Sequence, residues 1–143
     1  MINTTSIEEA KRLLKKEEIP RIVLAQNDEF NRKILEQGNF NILLSPETGQ
    51  RKNKIRQTDS GLNHILAKIA SKNNIAIGIN LDEIKKLEPK QKAERLSKIK
   101  QNIKICKKAK AKLAIKTSNI TESTALLQSL GASSIQTKEA IKI

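Results

Sequence analysis

Segment 41–81 changes its apolar pattern twice, and this constrains the fold more than any other part of the sequence. Residues 41–44 (NILL) form a short apolar run. Residues 62–70 then place apolar side chains at helical spacing, and residues 75–79 (IAIGI) return to a continuous apolar run. This alternation predicts a strand, a helix and a second strand, connected as a crossover between parallel neighbours.

The same alternation continues on both sides of this segment. Ser6 and Glu9 have the spacing of a capping box and predict the start of a first helix. Helical spacing and stop signals predict further helices at 28–37, 90–110 and 121–130. Apolar runs predict strands at 21–25, 113–116 and 134–136, the last followed by a terminal turn at 138–142.

The order of these elements predicts the fold class. A chain of 143 residues is long enough for one domain with a sizeable core, so we expect a single domain over residues 1–143. About five strands alternate with helices, which indicates an α/β fold with a parallel sheet. A closed eight-stranded barrel usually needs ~250 residues. We therefore expect either an open sheet or an incomplete TIM-barrel-like (βα) repeat.

The charge balance indicates a polyanionic partner. Lys and Arg number 28 against 15 Asp and Glu, a formal net charge of +13. An excess of this size is typical of nucleic-acid-binding proteins, although a lysine-rich surface that serves only to solvate the protein has the same composition. Aromatic residues make up 1% of the chain, which excludes a platform of stacked bases on aromatic rings as the main binding mode.

Positive charge is densest in the loop between the first central strand and the helix. Arg51, Lys52, Lys54 and Arg56 have no acidic residue among them. The loop leads into a helix N-terminus, which favours anions, and His64 and Lys68 extend the positive strip along that helix. These residues predict contacts with phosphates, the alternatives being a solvated charged loop and a capping role for His64. The lysines of the long helix are expected to form a solvated outer face: Lys98, Lys100, Lys104, Lys107 and Lys108.

Catalytic chemistry has little support in the sequence. His64 is the only histidine and Cys106 the only cysteine, so neither a histidine-rich metal cluster nor a cysteine zinc site can form. No G-x-S-x-G elbow, P-loop or dinucleotide fingerprint is present, and we expect no cofactor on this chain. Cys106 falls on the apolar stripe of its helix and is expected to be a buried packing residue.

The sequence also predicts where the protein works. No apolar stretch approaches the ~20 residues of a membrane span. The N-terminus lacks the layout of a signal peptide, and a single cysteine allows no internal disulfide. We expect a soluble, cytoplasmic protein with no membrane partner.

Three motifs carry a resemblance to a known family. Residues 43–46 (LLSP), 61–69 (GLNHILAKI) and 72–81 (KNNIAIGINL) together resemble archaeal ribonuclease P protein component 3. Weaker matches follow in the same order at 117–118 (TS) and at the Leu-Gly end of 126–131. A last one falls at 136–138 (QTK).

The resemblance implies a TIM-barrel-like subunit related to the polymerase and histidinol phosphatase superfamily, without that superfamily's metal cluster. Such a subunit binds ribonuclease P RNA and ribonuclease P protein component 2. The RNA, with bound magnesium, removes the 5′ leader from precursor tRNA. The positions implied as RNA contacts are Arg51, Arg56, His64, Lys68 and Lys138.

Two other functions remain compatible with the residues. One is a degenerate metal-dependent phosphoesterase of the same superfamily, and the other is a generic basic RNA-binding scaffold. The resemblance covers only the later part of the family, so the first (βα) units of the barrel are expected to be missing. Because an open sheet edge exposes unpaired backbone, we also expect self-association of the chain.

Overall fold

The strands lie in the sheet in the same order as in the sequence. The computed structural model describes residues 1–48 and 59–143. In chain order its elements are α1 (Ile7–Leu14), β1 (Ile22–Leu24), α2 (Asp28–Gln37), β2 (Ile42–Leu44), α3 (His64–Lys72), β3 (Ala76–Asn80), α4 (Leu81–Lys85), α5 (Pro89–Ala109), β4 (Leu113–Lys116), α6 (Ile120–Ser129), α7 (Ser134–Glu139) and β5 (Ile141–Lys142).

All strand pairs are parallel, and the sheet order is β1-β2-β3-β4-β5. Val23, Leu43, Ile77 and Leu113 form one row across the first four strands. Each crossover therefore reaches the next strand in the same direction, whereas a doubly wound sheet would reverse direction once. This is the order of consecutive units of a (βα) barrel, and it confirms the predicted α/β fold with about five parallel strands.

The two faces of the sheet differ in what covers them. Alternate strand residues such as Val23, Leu43 and Ile77 point to one face and share a large apolar core with the helices. The opposite face holds a small cluster formed by Ile42, Ala76 and Ala114. Among the described residues, the helices contribute to the large core and none contributes to the small cluster, as in a barrel wall with its helices on the outside.

Small residues on the inner face let neighbouring strands pack closely. A Cβ atom added at Gly78 would lie 2.8 Å from Cγ2 of Ile42 and 2.9 Å from Cδ1 of Leu44. These distances are shorter than any normal carbon–carbon contact. Gly78 therefore leaves space on this face for the side chains of Ile42 and Leu44, which a larger residue would have to displace.

Side-chain caps fix the start of several helices. Asn27, Asn63 and Asn119 each accept a hydrogen bond from a backbone N–H in the first turn of the helix that follows. Ser6 does the same for α1, but the predicted capping box is only half formed. Glu9 accepts from the Thr4 hydroxyl, and the Ser6 N–H donates to that same hydroxyl oxygen.

The C-terminal prediction was wrong. Residues 134–136 belong to helix α7 instead of a strand, and the last strand is β5, which pairs with β4. Ser133 and Gln136 form a complete capping box, with both reciprocal hydrogen bonds present, and this starts a helix where we expected extended chain.

Two residues expected on apolar helix faces are exposed. Helical spacing puts Ile65 on the inward side of α3, yet 47% of its surface is accessible. The same reasoning puts Ala93 on the apolar stripe of α5, and it is also exposed. Helix α3 begins at His64, so Leu62, although buried, precedes the helix and does not set its inward face.

The N-terminal residues extend the sheet beyond β1. Ile2 forms an isolated parallel bridge with Val23, on the side of β1 that faces away from β2. Its backbone donates to the carbonyl of Ile22 and accepts from the N–H of Leu24.

Candidate nucleic-acid interface

Polar groups gather at the carboxyl ends of β2 and β3, in the residues that precede the basic loop in the sequence. Sheets of this type place their functional residues at that edge. Ser45 follows β2 in the left-handed region, with φ of 57°, and its N–H donates to the carbonyl of Gly78. Its hydroxyl is buried and faces α5. The chain therefore leaves β2 through a sharply turned, fixed residue.

A buried guanidinium connects this turn to the helices. Nε of Arg95 in α5 donates to Oε1 of Glu47 at 3.0 Å, and Nη1 donates to Oε1 of Glu83 at 2.6 Å. Nη2 donates to the Ser45 hydroxyl at 3.3 Å. The Arg95 side chain is 10% exposed, that of Glu47 1% and that of Glu83 50%. One cation thus holds the end of β2 against α4 and α5.

The carboxyl group of Glu47 has a raised pKa in this setting. Burial raises the pKa of its carboxyl, because the charged form is deprived of water, and the nearby Glu83 adds to the effect. Arg95 acts in the opposite direction without overcoming burial. Oε2 of Glu47 has no hydrogen-bond partner among the described residues. A proton on this carboxyl therefore relieves a buried negative charge.

The basic residues expected to contact RNA fall in two groups. Arg51, Lys52, Lys54 and Arg56 lie outside the described residues, so their predicted role stays a prediction. His64, Lys68 and Lys138 are all exposed.

His64 is the first residue of α3, one turn before Lys68, and these two share one side of that helix. Asn63 caps the same helix N-terminus through a hydrogen bond to the N–H of Leu66.

Lys138 lies in a different part of the structure. Helix α7 packs against α6 and β4, whereas α3 packs against α5 and α2. Gln136 of α7 donates from its side chain to the carbonyl of Ile103 at 3.0 Å, which joins α7 to α5. The structure therefore places Lys138 on another element from His64 and Lys68, and whether one RNA contacts all three stays a prediction.

A depression of about 340 Å³ lies beside the N-terminus of α3. Its lining includes Asp28, Arg32, Asp59, Asn63 and Ile65. Asp59 is oriented by the N–H of Gly61, which donates to its carboxylate at 3.1 Å. Acidic and basic groups are mixed here, so this depression lacks the uniform positive charge of a phosphate site.

Metal and membrane features are absent from the described part of the chain. Residues 1–48 and 59–143 contain no cluster of three or more His, Cys, Asp or Glu side chains that could hold a metal ion. No helix in these residues is both long and apolar enough to span a bilayer. Cys106 is buried, and burial raises the pKa of its thiol to about 12, which leaves it protonated and unreactive at neutral pH.

Sequence reasoning missed Arg95 and Glu47. The signal in the sequence was weak but present. Arg95 is the one arginine in a helix whose other cations are lysines, and it precedes Ile99 by four residues on the buried side. Glu47 is the last acidic residue before the basic loop.

The relatives found by comparison with known proteins all carry the same name. The chain is 33% identical over 89 residues to ribonuclease P protein component 3 of Methanococcus maripaludis, covering 61% of this chain and 36% of the relative. It is 31% identical over 88 residues to the protein of that name in Methanocaldococcus jannaschii, covering 62% and 35%. The resemblance to ribonuclease P protein component 3 is confirmed.

The sequence similarity covers only part of this chain and part of each relative. The chain spans about a third of the length of the component 3 proteins it matches. No family model matches the sequence.

The fold of this chain also matches that of a chain in a solved structure. A cryo-EM structure of archaeal ribonuclease P with mature tRNA contains a chain that matches with a TM-score of 0.77 and 22% identity. The match covers 97% of this chain and 60% of that one. At this identity the match supports the fold, and the similarity to component 3 rests on the sequence relatives.

Proposed function

We propose that this chain is a protein subunit of ribonuclease P that binds the RNA subunit and supports removal of the 5′ leader from precursor tRNA. The observation that carries the proposal is the sequence similarity to ribonuclease P protein component 3, at 33% identity over 89 residues. The net charge of +13 supports an RNA partner, because Lys and Arg neutralise backbone phosphates and release their counterions.

In this proposal the RNA performs the chemistry and the chain supplies no catalytic residue. Magnesium belongs with the RNA subunit. The chain contributes phosphate contacts from Arg51, Lys52, Lys54 and Arg56, continued by the strip of His64 and Lys68 on α3, with Lys138 as a separate contact. Such contacts strengthen and orient RNA binding without reading its sequence.

The network around Arg95 gives this interface a rigid base. It fixes the residues that precede the basic loop, since Ser45 and Glu47 are both held by one buried guanidinium. A phosphate-binding loop gains affinity when its ends are held in place, because less conformational freedom is given up on binding.

Further partners follow from the same proposal. They are precursor tRNA, ribonuclease P protein component 2 and a second copy of this chain. Strand β5 lies at one edge of the sheet, whereas the edge at β1 is already paired with Ile2. An unpaired strand edge is a template for another chain, which supports self-association. Light scattering after size exclusion tests this part: a stable monomer at all concentrations would contradict it.

Reconstitution tests the main proposal. Ribonuclease P RNA, component 2 and this chain are mixed with labelled precursor tRNA and magnesium, and mixtures lacking each component serve as controls. We expect no cleavage by this chain alone and faster cleavage when it is added to RNA and component 2. Magnesium-dependent cleavage by the chain alone would instead indicate a phosphoesterase. Equal stimulation by any basic protein of similar size would reduce the role to a generic RNA-binding scaffold.

A loop variant tests the site. Replacing Arg51, Lys52, Lys54 and Arg56 with Gln should weaken RNA binding and lower its salt dependence, by a slope of roughly 0.7–0.9 for each phosphate that the loop no longer neutralises. Binding is measured by filter retention across a series of salt concentrations. An unchanged slope would remove the loop from the proposed interface.

A further inference from the structure

Positive charge is distributed very unevenly along the chain. Residues 1–48 contain seven Lys and Arg against eight Asp and Glu, whereas residues 98–143 contain ten Lys against two Glu. Between Lys98 and Lys112 there are seven lysines and no acidic residue. A surface that only needed solvation would mix both signs, as the first part of the chain does. The excess is therefore concentrated around the C-terminal half of α5.

Four of these lysines form a stripe on one side of α5. Lys100, Lys104, Lys107 and Lys108 stand at positions i, i+4, i+7 and i+8, which face the same direction on a helix. All four are exposed. The opposite side of this half of α5, which includes Ile99, Ile103 and Cys106, is buried in the core. We call the four residues the lysine stripe.

Neighbouring elements enlarge the positive surface without neutralising it. Helix α3 packs against α5, and the Ser71 hydroxyl donates to the carbonyl of Lys110 at 3.1 Å. This contact brings the end of α3, with exposed Lys72, to the end of α5, where Lys110 and Lys112 are exposed as well. Within the described part of the chain, the ion pairs involve other cations and none from this surface.

We propose that the lysine stripe is a second phosphate-binding surface, which holds the backbone of a folded RNA at the end of the molecule opposite to the carboxyl edge of the sheet. Helices of a (βα) unit run antiparallel to the strands, so the C-terminus of α5 lies at the amino edge. At 1.5 Å per residue, a helix of 21 residues spans about 30 Å. An RNA that binds the stripe as well as His64, at the N-terminus of α3, therefore contacts both ends of the outer helical layer.

The chemistry of the stripe favours RNA over other anionic partners. A membrane surface is bound by helices that insert apolar side chains beside their lysines, and α5 contributes none of the large apolar residues that are exposed. A stable protein interface needs a buried apolar or aromatic centre, which the stripe lacks. Lysines alone bind phosphates as point charges, and a polyanion rewards several of them together.

Matched variants test the surface. The stripe variant changes Lys100, Lys104, Lys107 and Lys108 to Gln, and the control variant changes Lys11, Arg12, Lys15 and Lys16 of the α1 region to Gln. Both lower the net charge by four, and all eight side chains are exposed, so both should fold. We expect the salt slope of RNA binding to fall by about 3 in the stripe variant, with affinity reduced about tenfold or more, and to change little in the control. A Lys→Arg version of the stripe should restore both quantities.

The identity of the RNA rests on the proposed function, so binding is measured with two RNAs. Their comparison distinguishes a failure of this inference from a failure of the proposed function. One probe is ribonuclease P RNA, and the other is an unrelated folded RNA of equal length. If both bind equally and both lose affinity in the stripe variant, the surface is correct even though the ribonuclease P assignment has failed. If ribonuclease P RNA binds preferentially but the stripe and control variants behave alike, the assignment stands and this surface is wrong.

Two further results would overturn the inference. One is loss of binding to phosphatidylserine vesicles, or to polyglutamate, in the stripe variant while RNA binding is retained. The other is an unchanged pattern of hydroxyl-radical protection on ribonuclease P RNA, because removing a real contact surface must expose the backbone that it covered.

Discussion

The two halves of α5 use positive charge in opposite ways. In the N-terminal half, Arg95 is buried and its guanidinium contacts two carboxyl groups and a hydroxyl. In the C-terminal half, the lysine stripe is exposed and forms no ion pair with the described residues. The difference shows that cations of one helix divide into those that hold the protein together and those that remain available to a partner. Whether a cation belongs to the first or the second group depends on its burial and on the presence of nearby carboxylates.

The largest effect should come from removing Arg95. Arg95→Met keeps the volume and the apolar stem but leaves Glu47 and Ser45 without their donor. Removing one partner of a buried ionic network is strongly destabilising, so we expect a loss of about 3 kcal/mol in the free energy of unfolding. Urea denaturation followed by circular dichroism measures it. Lys100→Met on the exposed side is the control and should lie within about 0.5 kcal/mol of the parent. Equal losses would remove the distinction between the two halves.

A smaller effect should appear in the pair formed by Arg95 and Glu83. The Glu83 side chain is half exposed, so water screens part of the attraction. We expect a coupling energy of about 1 kcal/mol from a double-mutant cycle with Arg95→Met and Glu83→Gln, and a lower value at high salt. A coupling that does not respond to salt would place the pair in the interior together with Glu47.

The substitution Glu47→Gln removes the titration of the buried carboxyl. The raised pKa of Glu47 fixes the direction in which stability should change with pH. The folded state retains the Glu47 proton above the ordinary value of 4.5, where the unfolded chain has released it. The stabilising contribution of this proton is therefore complete at low pH and is lost as pH rises through the window above 4.5.

Relative to the parent, the Glu47→Gln variant should become more stable as pH rises through that window, because the parent alone loses the contribution of the Glu47 proton. Unfolding curves of both proteins between acid and neutral pH provide the measurement. A difference that is constant with pH, or that changes in the opposite direction, would show that Arg95 keeps Glu47 ionised.

The smallest effect on stability should come from the lysine stripe itself. Its Gln variant loses no ion pair with any described residue and relieves repulsion between like charges at i, i+4 spacing. We expect the free energy of unfolding to stay within about 0.5 kcal/mol of the parent, with any gain confined to low salt. Thermal unfolding at two salt concentrations checks this. A loss of more than about 1 kcal/mol would mean that the lysines have a structural role.

Much of the fold could be predicted because its signals are local. The strands at 21–25, 41–44, 75–79 and 113–116 were visible as buried apolar runs, and the structure places β1 to β4 there, each within one or two residues. The signals that bound α2 are equally local: the Asn27 side chain caps its start, and Gly38 ends it with a positive φ of 69°. The error at 134–136 came from reading Ile135 as part of a strand when Ser133 and Gln136 already encoded a cap.

The candidate site was less predictable, because its contacts join distant parts of the chain. Arg95 and Glu47 are 48 residues apart, and no sequence rule pairs them. The assignment of Ile65 to the core of α3 failed for a similar reason. Helix periodicity gives a face, but the neighbours of α3 decide how wide the buried face is.

The sequence alone determined that this protein is a parallel α/β repeat with an aliphatic core, one histidine, one cysteine and a large positive charge. These properties follow from composition and from periodicity over a few residues. Only the tertiary structure decided which cations are structural and which are free, because that depends on burial and on carboxylates brought in from other elements. It also decided that the described helices pack on the same face of the sheet, and that the lysines of α5 gather at the amino edge, away from the turn at Ser45 that Arg95 holds.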